Sequence, residues 1–293
     1  MCAESRHRIV PVRDYALGMT LTSGQAFRWR KEEDGWVGVV HRHWVRLRLI
    51  AGGIFAETVG PHEDWDWLEH YLQVNVDLQA VLDTFPADEP MRAARTACHG
   101  LRLLRQDPWE CLASFILSST KQILQIQQIV SLLCRSYGEE ILVPAGQDPV
   151  WTFPTAERLA DISEAGLRAC KMGFRAPFLL AAARRVAEGK LDLQALAELP
   201  VEAARAELID LPGVGPKICN CVLLFAYGRQ EAFPVDVWVM KALRQMYFPR
   251  RKRTLRQLQE FAATHFGPNA GYAQQYLFHY ARSQMRRRQN PAP

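Results

Sequence analysis

The sequence predicts an α+β fold, mainly helical, with a twisted antiparallel β-sheet near the N-terminus packed on a helical core. Three observations carry that prediction. Residues 8–60 alternate apolar and polar side chains between glycine turns. From His62 onward the apolar spacing becomes that of helices. Residues 205–241 read RAELIDLPGVGPKICNCVLLFAYGRQEAFPVDVWVMK, a helix, a two-glycine hairpin and a second helix.

Within 8–60, SGQAFRW leads into RKEEDGWVGVV, where Asp34-Gly35 is a hairpin turn signal. HWVRLRLI alternates Val45, Leu47 and Leu49 with Arg46 and Arg48, as a half-buried strand does. GGIFAETV adds a strand after a glycine turn, and antiparallel pairing is the natural arrangement. In EDWDWLEHYLQ, Trp65, Leu68 and Leu72 share a helical face. DPWECLASFILSS is apolar nearly all round, which predicts a central helix. Ser118-Ser119-Thr120 then breaks the pattern, with Ser119 or Thr120 expected to cap the next helix. MGFRAPF interrupts a later helical stretch and sets Arg175 on a turn after Gly173. There Arg175 is equally suited to pairing with a carboxylate or to contacting nucleic acid. Near the C-terminus, Gln274 and Phe278 are four residues apart and share a helix face, which by itself is ordinary core patterning. An N-terminal sheet domain with connecting helices is expected over 1–105. A helical core is expected over 106–293, with the helix-hairpin-helix at about 203–227.

The 293 residues are 48% hydrophobic and 23% charged, ordinary for a globular protein. No apolar run reaches membrane-span length, and the N-terminus lacks a signal-peptide apolar core. No membrane association and an intracellular setting are therefore expected. The seven cysteines are irregularly spaced and form neither a disulfide framework nor a zinc pattern. None follows Cys221, so a C-terminal iron–sulfur cluster is excluded. Net charge is +5, but residues 244–293 hold ten Lys/Arg and one acid, which leaves −4 for the rest. That asymmetry suits a polyanionic partner.

The hairpin carries the candidate chemistry. Gly213 and Gly215 permit positive φ and close backbone approach. Pro216 suits the first position of a helix, and the free amides behind it suit phosphate. Lys217 falls in that helix's first turn, where the dipole disfavours a cation. Asp236 follows Pro234-Val235 and precedes an apolar helix, so it also reads as an N-cap. Together, on a phosphate-binding hairpin, the two resemble an amine nucleophile with an acidic partner.

The hairpin with Lys217 and Asp236 resembles the HhH-GPD superfamily of base-excision DNA glycosylases in its Lys/Asp form. SGQAFRW, YLQVNVDL, DPWECLASFILSS, LPGVGPKICNCVLLFA, PVDVW and GPNAGYAQQYLF narrow the resemblance to 8-oxoguanine DNA glycosylases that are also abasic-site lyases, over about residues 8–285. It implies a two-lobed helical core and a double-stranded DNA partner containing an oxidised purine, bound by a monomer in the cytoplasm or nucleoid of a bacterium, or in a nucleus. No cofactor is implied as required. The backbone carbonyls of Ile209, Leu211 and Val214 are implied as holders of a structural metal ion.

By the same resemblance, Lys217 forms a Schiff base and Asp236 offsets charge on the sugar. The Gly24 carbonyl meets the ring N–H that 8-oxoguanine has and guanine lacks. Gln274 reads the base edge, while Phe278 and Cys221 cover its two faces. Gly213, Val214, Gly215, Trp238 and Phe174 contact DNA, and Arg175 and Thr120 face the opposite base. Three places in the chain depart from the family pattern. Thr120-Lys121-Gln122 replaces consecutive asparagines, Gln125 an arginine, and Trp238 a histidine. These bear on how the opposite base is read. Two other readings stay open: a monofunctional glycosylase for alkylated bases, which needs only the aspartate, and a non-catalytic helix-hairpin-helix DNA-binding protein, which needs neither residue.

Overall fold

The computed structural model describes residues 5–60 and 64–289; Cys2 and His62 lie outside them. The chain opens with β1 (Ser5–Pro11), α1 (Leu17–Thr22), β2 (Arg30–Glu32), β3 (Gly35–Val40), β4 (His43–Ile50) and β5 (Gly53–Val59). The strands form one antiparallel sheet in the order β1-β5-β4-β3-β2. β2 to β5 meander, and β1 closes the far edge against β5. Glu32 pairs with Gly35, so the hairpin loop is Glu33-Asp34 rather than the expected Asp34-Gly35. Gly35 belongs to the strand, where a Cβ would come within 2.7 Å of the Leu47 carbonyl.

Val45 and Leu47 are fully buried, as their alternation requires, but Leu49 is 57% exposed because β4 runs past the edge of the core. The inner sheet face packs on Leu17 and Leu21 of α1 and on Leu68 and Leu72 of α2 (Asp66–Leu72). The outer face holds Val37, Trp44 and Val59 against Ile141, Val143 and Val150, from the segment that carries β6 (Glu140–Ile141) and β7 (Val150–Trp151). Both faces of the sheet are thus covered.

Before β6 the helices are α3 (Leu78–Asp83), α4 (Glu89–Ala97), α5 (Pro108–Leu117) and α6 (Ile123–Tyr137). After β7 come α7 (Ala156–Ala160), α8 (Glu164–Leu167), α9 (Ala176–Ala187), α10 (Val201–Ile209), α11 (Pro216–Phe225), α12 (Val237–Met246), α13 (Leu255–His265) and α14 (Ala270–Gln289). Asp77, Asp88 and Asp107 cap α3, α4 and α5 by accepting the amides of Ala80, Met91 and Glu110. α5 is central: Cys111 through Leu117 are all buried, against α9 and α11 among others.

The start of α6 differs from expectation. Neither Ser119 nor Thr120 caps it. The helix begins at Ile123, and the Gln125 side chain accepts the Gln122 amide at 3.0 Å. Thr120 is unsuited to the task because it sits in the left-handed region (φ 56) with its hydroxyl bound to Arg175. The six described cysteines are free and buried.

One buried side chain joins the sheet lobe to the helices. The Gln25 amide nitrogen lies 3.0 Å from the Thr20 carbonyl, 3.0 Å from Ser23 Oγ and 2.9 Å from the Arg102 carbonyl. Its Oε1 accepts the Leu104 amide at 2.8 Å, and its own carbonyl accepts Gln106 Nε2 at 2.8 Å. Gln106 in turn donates its amide to the Phe225 carbonyl of α11, and Gln275 of α14 donates to the Ser23 carbonyl. The loop Ser23–Gln25 is therefore fixed from three directions. Gln25→Leu leaves several buried backbone groups unpaired, each costing about 1–3 kcal/mol. We expect it to lower unfolding free energy by about 2–4 kcal/mol, read as a shift in the denaturant midpoint; an unchanged midpoint would contradict this account.

Candidate active site

The hairpin follows α10. Its two glycines serve different ends. Gly213 has φ +80, and a Cβ there would fall 2.5 Å from the Phe178 ring of α9. Gly215 is extended and precedes Pro216, and a Cβ on it would meet nothing within 4 Å. The first glycine makes the turn and its packing; the second leaves the approach to α11 open. The first amides of a helix have no partner inside it, and no side chain caps them here.

Lys217 extends from this first turn toward the end of α5. Its Nζ donates to Ser118 Oγ at 2.8 Å and lies 5.1 Å from the centroid of the Phe115 ring. That ring stacks on Phe225 and meets Phe27, four residues after Ser23, edge-on. Asp236 is the N-cap of α12, and its Oδ1 accepts the Val239 amide at 2.7 Å. Burial raises the Asp236 carboxyl above its ordinary value, opposed by the Val239 amide and the Lys217 charge. Burial likewise pushes the Cys221 thiol up to about 12, with Lys217 opposing and Asp236 adding to the shift. Lys217, Cys221 and Asp236 are thus electrostatic neighbours. Lys217 and Asp236 do not form one of the direct ion pairs among the described residues.

A second cluster joins the two ends of the chain. Gly24 has φ +87, and a Cβ there would lie 2.8 Å from Ile123 Cδ1 and 3.5 Å from Phe278 Cε1. Gln274, one turn before Phe278, is 4% exposed, and its Oε1 is buried without a hydrogen-bond partner among the described residues. A buried amide oxygen left unpaired is costly. Gln274 shares a face of α14 with Phe278, whose ring comes within 3.5 Å of where a Gly24 Cβ would stand. Ile123 and Ser118 were not singled out in the sequence: one looks like a stripe residue of α6, the other like a helix break.

Phe174 and Arg175 lie on a 3-10 turn at Gly173–Arg175. Phe174 is 53% exposed and meets Phe178 edge-on, 6.4 Å between centroids. Arg175 is buried and has no carboxylate partner among the described residues, which corrects the ion-pair alternative. Its Nε and Nη2 donate to the Ser119 carbonyl, Nη1 to the Met172 carbonyl at 3.1 Å, and Nη2 to Thr120 Oγ1 at 2.6 Å. Gln125 is engaged at the start of α6. Trp238 is half-buried on the first turn of α12, with Lys241 Nζ 5.4 Å from its ring. No group of three His, Cys, Asp or Glu able to hold a metal occurs among the described residues. The Leu211 carbonyl accepts the Val214 amide at 3.0 Å.

Residues 9–112 match the family model of the 8-oxoguanine DNA glycosylase N-terminal domain, and residues 113–266 that of HhH-GPD superfamily base excision DNA repair proteins. A probable N-glycosylase/DNA lyase of Methanothermobacter thermautotrophicus is 29% identical over 93% of this chain and 95% of its own. The N-glycosylase/DNA lyase of Arabidopsis thaliana is 30% identical over 90% of this chain and 77% of its own. The solved structure of Clostridium acetobutylicum 8-oxoguanine glycosylase/lyase, bound to double-stranded DNA with cytosine opposite 8-oxoguanine, superposes with a TM-score of 0.88. That protein is 28% identical, over 97% of this chain and 100% of its own. The sheet lobe, the lysine-bearing hairpin and these matches agree: the chain belongs to the HhH-GPD superfamily of base excision DNA repair proteins and carries the N-terminal domain of the 8-oxoguanine DNA glycosylases.

Proposed function

We propose that the protein excises 8-oxoguanine from double-stranded DNA through a covalent lysine intermediate and then nicks the strand as an abasic-site lyase. The observation that carries this reading is Lys217, at the open start of α11, in the electrostatic reach of the half-buried Asp236 carboxyl. An aspartate-only glycosylase or a simple DNA-binding hairpin has no use for that amine. The relatives named N-glycosylase/DNA lyase support the same reading.

The damaged nucleotide is flipped out of the duplex, which costs a few kcal/mol of stacking and pairing. Gly213, Val214 and Gly215, with the first amides of α11, grip the backbone phosphates, and Trp238 lies along the same strand. Phe174 wedges into the stack, with Arg175 and Thr120 facing the base left behind. The flipped base enters between Gly24, Gln274 and Phe278, with Cys221 on its other face. Cys221 is a neutral thiol there, since burial holds its pKa near 12. The orphan Gln274 Oε1 gains a partner from the base edge, and the Gly24 carbonyl accepts the extra ring N–H of 8-oxoguanine. Guanine presents a lone pair at that position, so the same carbonyl repels it.

The neutral Lys217 amine donates its lone pair to C1′, and the glycosidic C–N pair leaves with the base. The amine's proton passes to the departing base. The half-buried Asp236 carboxylate offsets the positive charge that develops on the sugar. The C1′–O4′ pair then moves onto O4′, which takes a proton from water, as the nitrogen lone pair forms an iminium between Lys217 and C1′. Water takes the C2′ proton, the C2′–H pair forms the C2′–C3′ double bond, and the 3′ phosphate leaves with its C–O electrons, which breaks the strand. The carbonyls of Ile209, Leu211 and Val214 would hold a metal ion at the hairpin. An all-oxygen set suits a hard cation, and the Leu211 carbonyl keeps one lone pair beyond its bond to Val214. When bound, such an ion adds positive charge beside the phosphates. The protein acts as a monomer wherever genomic DNA is held, a nucleoid or a nucleus. No helix among the described residues is long and apolar enough to cross a membrane.

Borohydride reduction on a duplex containing 8-oxoguanine should cross-link the wild type, and Lys217→Gln should lose the cross-link together with strand incision. A cross-link persisting in that variant would sink the proposal. Gly24→Ala should slow excision of 8-oxoguanine by about 100-fold or more, since a side chain displaces the lesion by ångströms. Its cross-linking to a pre-formed abasic site should stay near the wild-type level, and equal loss on both substrates would remove Gly24 from lesion choice.

Asp236 gives a test through stability. Its folded pKa lies above its unfolded value of 3.8. The stability linked to its protonated form is full below that value and lost as pH rises through the folded pKa. Ionised Asp236 therefore destabilises the fold at neutral pH. Asp236→Asn keeps a capping oxygen, so at pH 7 it should unfold at higher denaturant than the wild type, with the gain shrinking toward pH 4. Its base release should fall by about 100-fold or more. A variant less stable than the wild type at pH 7 would show that the cap outweighs the buried charge.

A further inference from the structure

We propose that Ser118 is a positioning residue for Lys217, holding the amine so that its lone pair faces the sugar; this rests on Lys217 being the nucleophile. A hydroxyl has one proton and two lone pairs. The Ser118 proton is directed to the Phe115 carbonyl, with Oγ at 2.6 Å. Toward Lys217, 2.8 Å away, the hydroxyl therefore offers only lone pairs. It accepts an N–H from the amine and cannot donate to it.

This asymmetry fixes a direction. A neutral amine has two N–H bonds and one lone pair. With one N–H bound to Ser118, the lone pair cannot point at Ser118 and is left for an electrophile. The Phe115 ring bounds another side of Nζ, 5.1 Å from its centroid, and is itself held by the Phe225 and Phe27 rings. Ser118 and Phe115 belong to the last turn of α5, where the Ser118 amide also donates to the Phe115 carbonyl. That turn is a rigid socket for the tip of a flexible side chain. A lysine has four side-chain torsions, and most of their combinations miss the substrate. Restricting them before the reaction raises the share of molecules in attack geometry. Ser118 does not serve as the base, because its own proton has only a carbonyl to go to.

The competing account makes Ser118 a helix C-cap and nothing more. The two differ in what Ser118→Ala changes. On the positioning account the single-turnover incision rate at saturating enzyme falls by about 10-fold or more. Borohydride trapping on a pre-formed abasic site slows by the same factor, because both steps use the same amine. The dissociation constant for the lesion duplex and the melting temperature stay close to the wild type. Ser118→Thr, which keeps the hydroxyl, recovers most of the lost rate. A Ser118→Ala enzyme that reacts at the wild-type rate overturns the proposal, and so does one whose slower reaction is matched by weaker DNA binding or a lower melting temperature. A Thr variant as slow as the Ala variant overturns it too. Lys217→Gln run beside these tells the two ideas apart: if it still cross-links, the nucleophile is misassigned, whereas its failure to cross-link beside a fully active Ser118→Ala removes Ser118 alone.

Discussion

The side-chain amide of Gln25 is the joint between the two halves of the molecule. It is fully buried and bonds to backbone on α1 and on the extended stretch 102–104, and to the Ser23 hydroxyl. Its own carbonyl receives Gln106, whose amide reaches α11. No apolar residue of that size could sit there without stranding those groups. The geometry that follows is narrow. Gly24, its neighbour, is held at positive φ with Ile123 on one side and Phe278 on the other. The Gly24–Ile123–Phe278 cluster is therefore a by-product of how the sheet is docked, and its members come from distant parts of the chain.

α5 has the complementary part. Being apolar on all sides, it goes to the centre, and its end meets Lys217. Phe115 and Ser118 meet Lys217 there, while Phe27 carries the contact on to the sheet lobe. Asp236 has two tasks at one atom set: it caps α12 and sets a half-buried carboxyl within electrostatic reach of Lys217. The two tasks pull in opposite directions energetically, since capping favours the carboxylate and burial disfavours it.

Much of this was legible in the sequence because it depends on local rules. The hairpin is written in Gly213, Gly215 and Pro216, and the N-cap of α12 in Asp236, which the fold leaves an electrostatic neighbour of Lys217 without a direct ion pair among those described. The sheet follows from alternation, and α5 from its unbroken apolar run. What sequence could not supply were partners chosen by the tertiary fold. On paper Arg175 suits a carboxylate or nucleic acid equally, and in the fold it meets carbonyls and a threonine hydroxyl. Ser119 and Thr120 look like caps, yet Thr120 is taken by Arg175, so α6 starts later with a glutamine pair. Leu49 alternates correctly but lies beyond the end of the core. Ser118 has no local signature at all, because the group it holds arrives from ninety-nine residues away. Gly24 read alone is a turn glycine; only the tertiary fold sets Ile123 and Phe278 against it.

The ring of Phe178 touches two things at once: the turn glycine of the hairpin, where even a methyl group would collide with it, and the edge of the exposed Phe174. On the proposed function the first contact belongs to the phosphate grip and the second to the wedge. The two tools therefore share one fulcrum. A protein tracking along undamaged duplex would test the stiffness of the stack each time it took hold of a phosphate, with no separate movement needed for inspection. Sites where stacking is already weakened would yield soonest to that pressure.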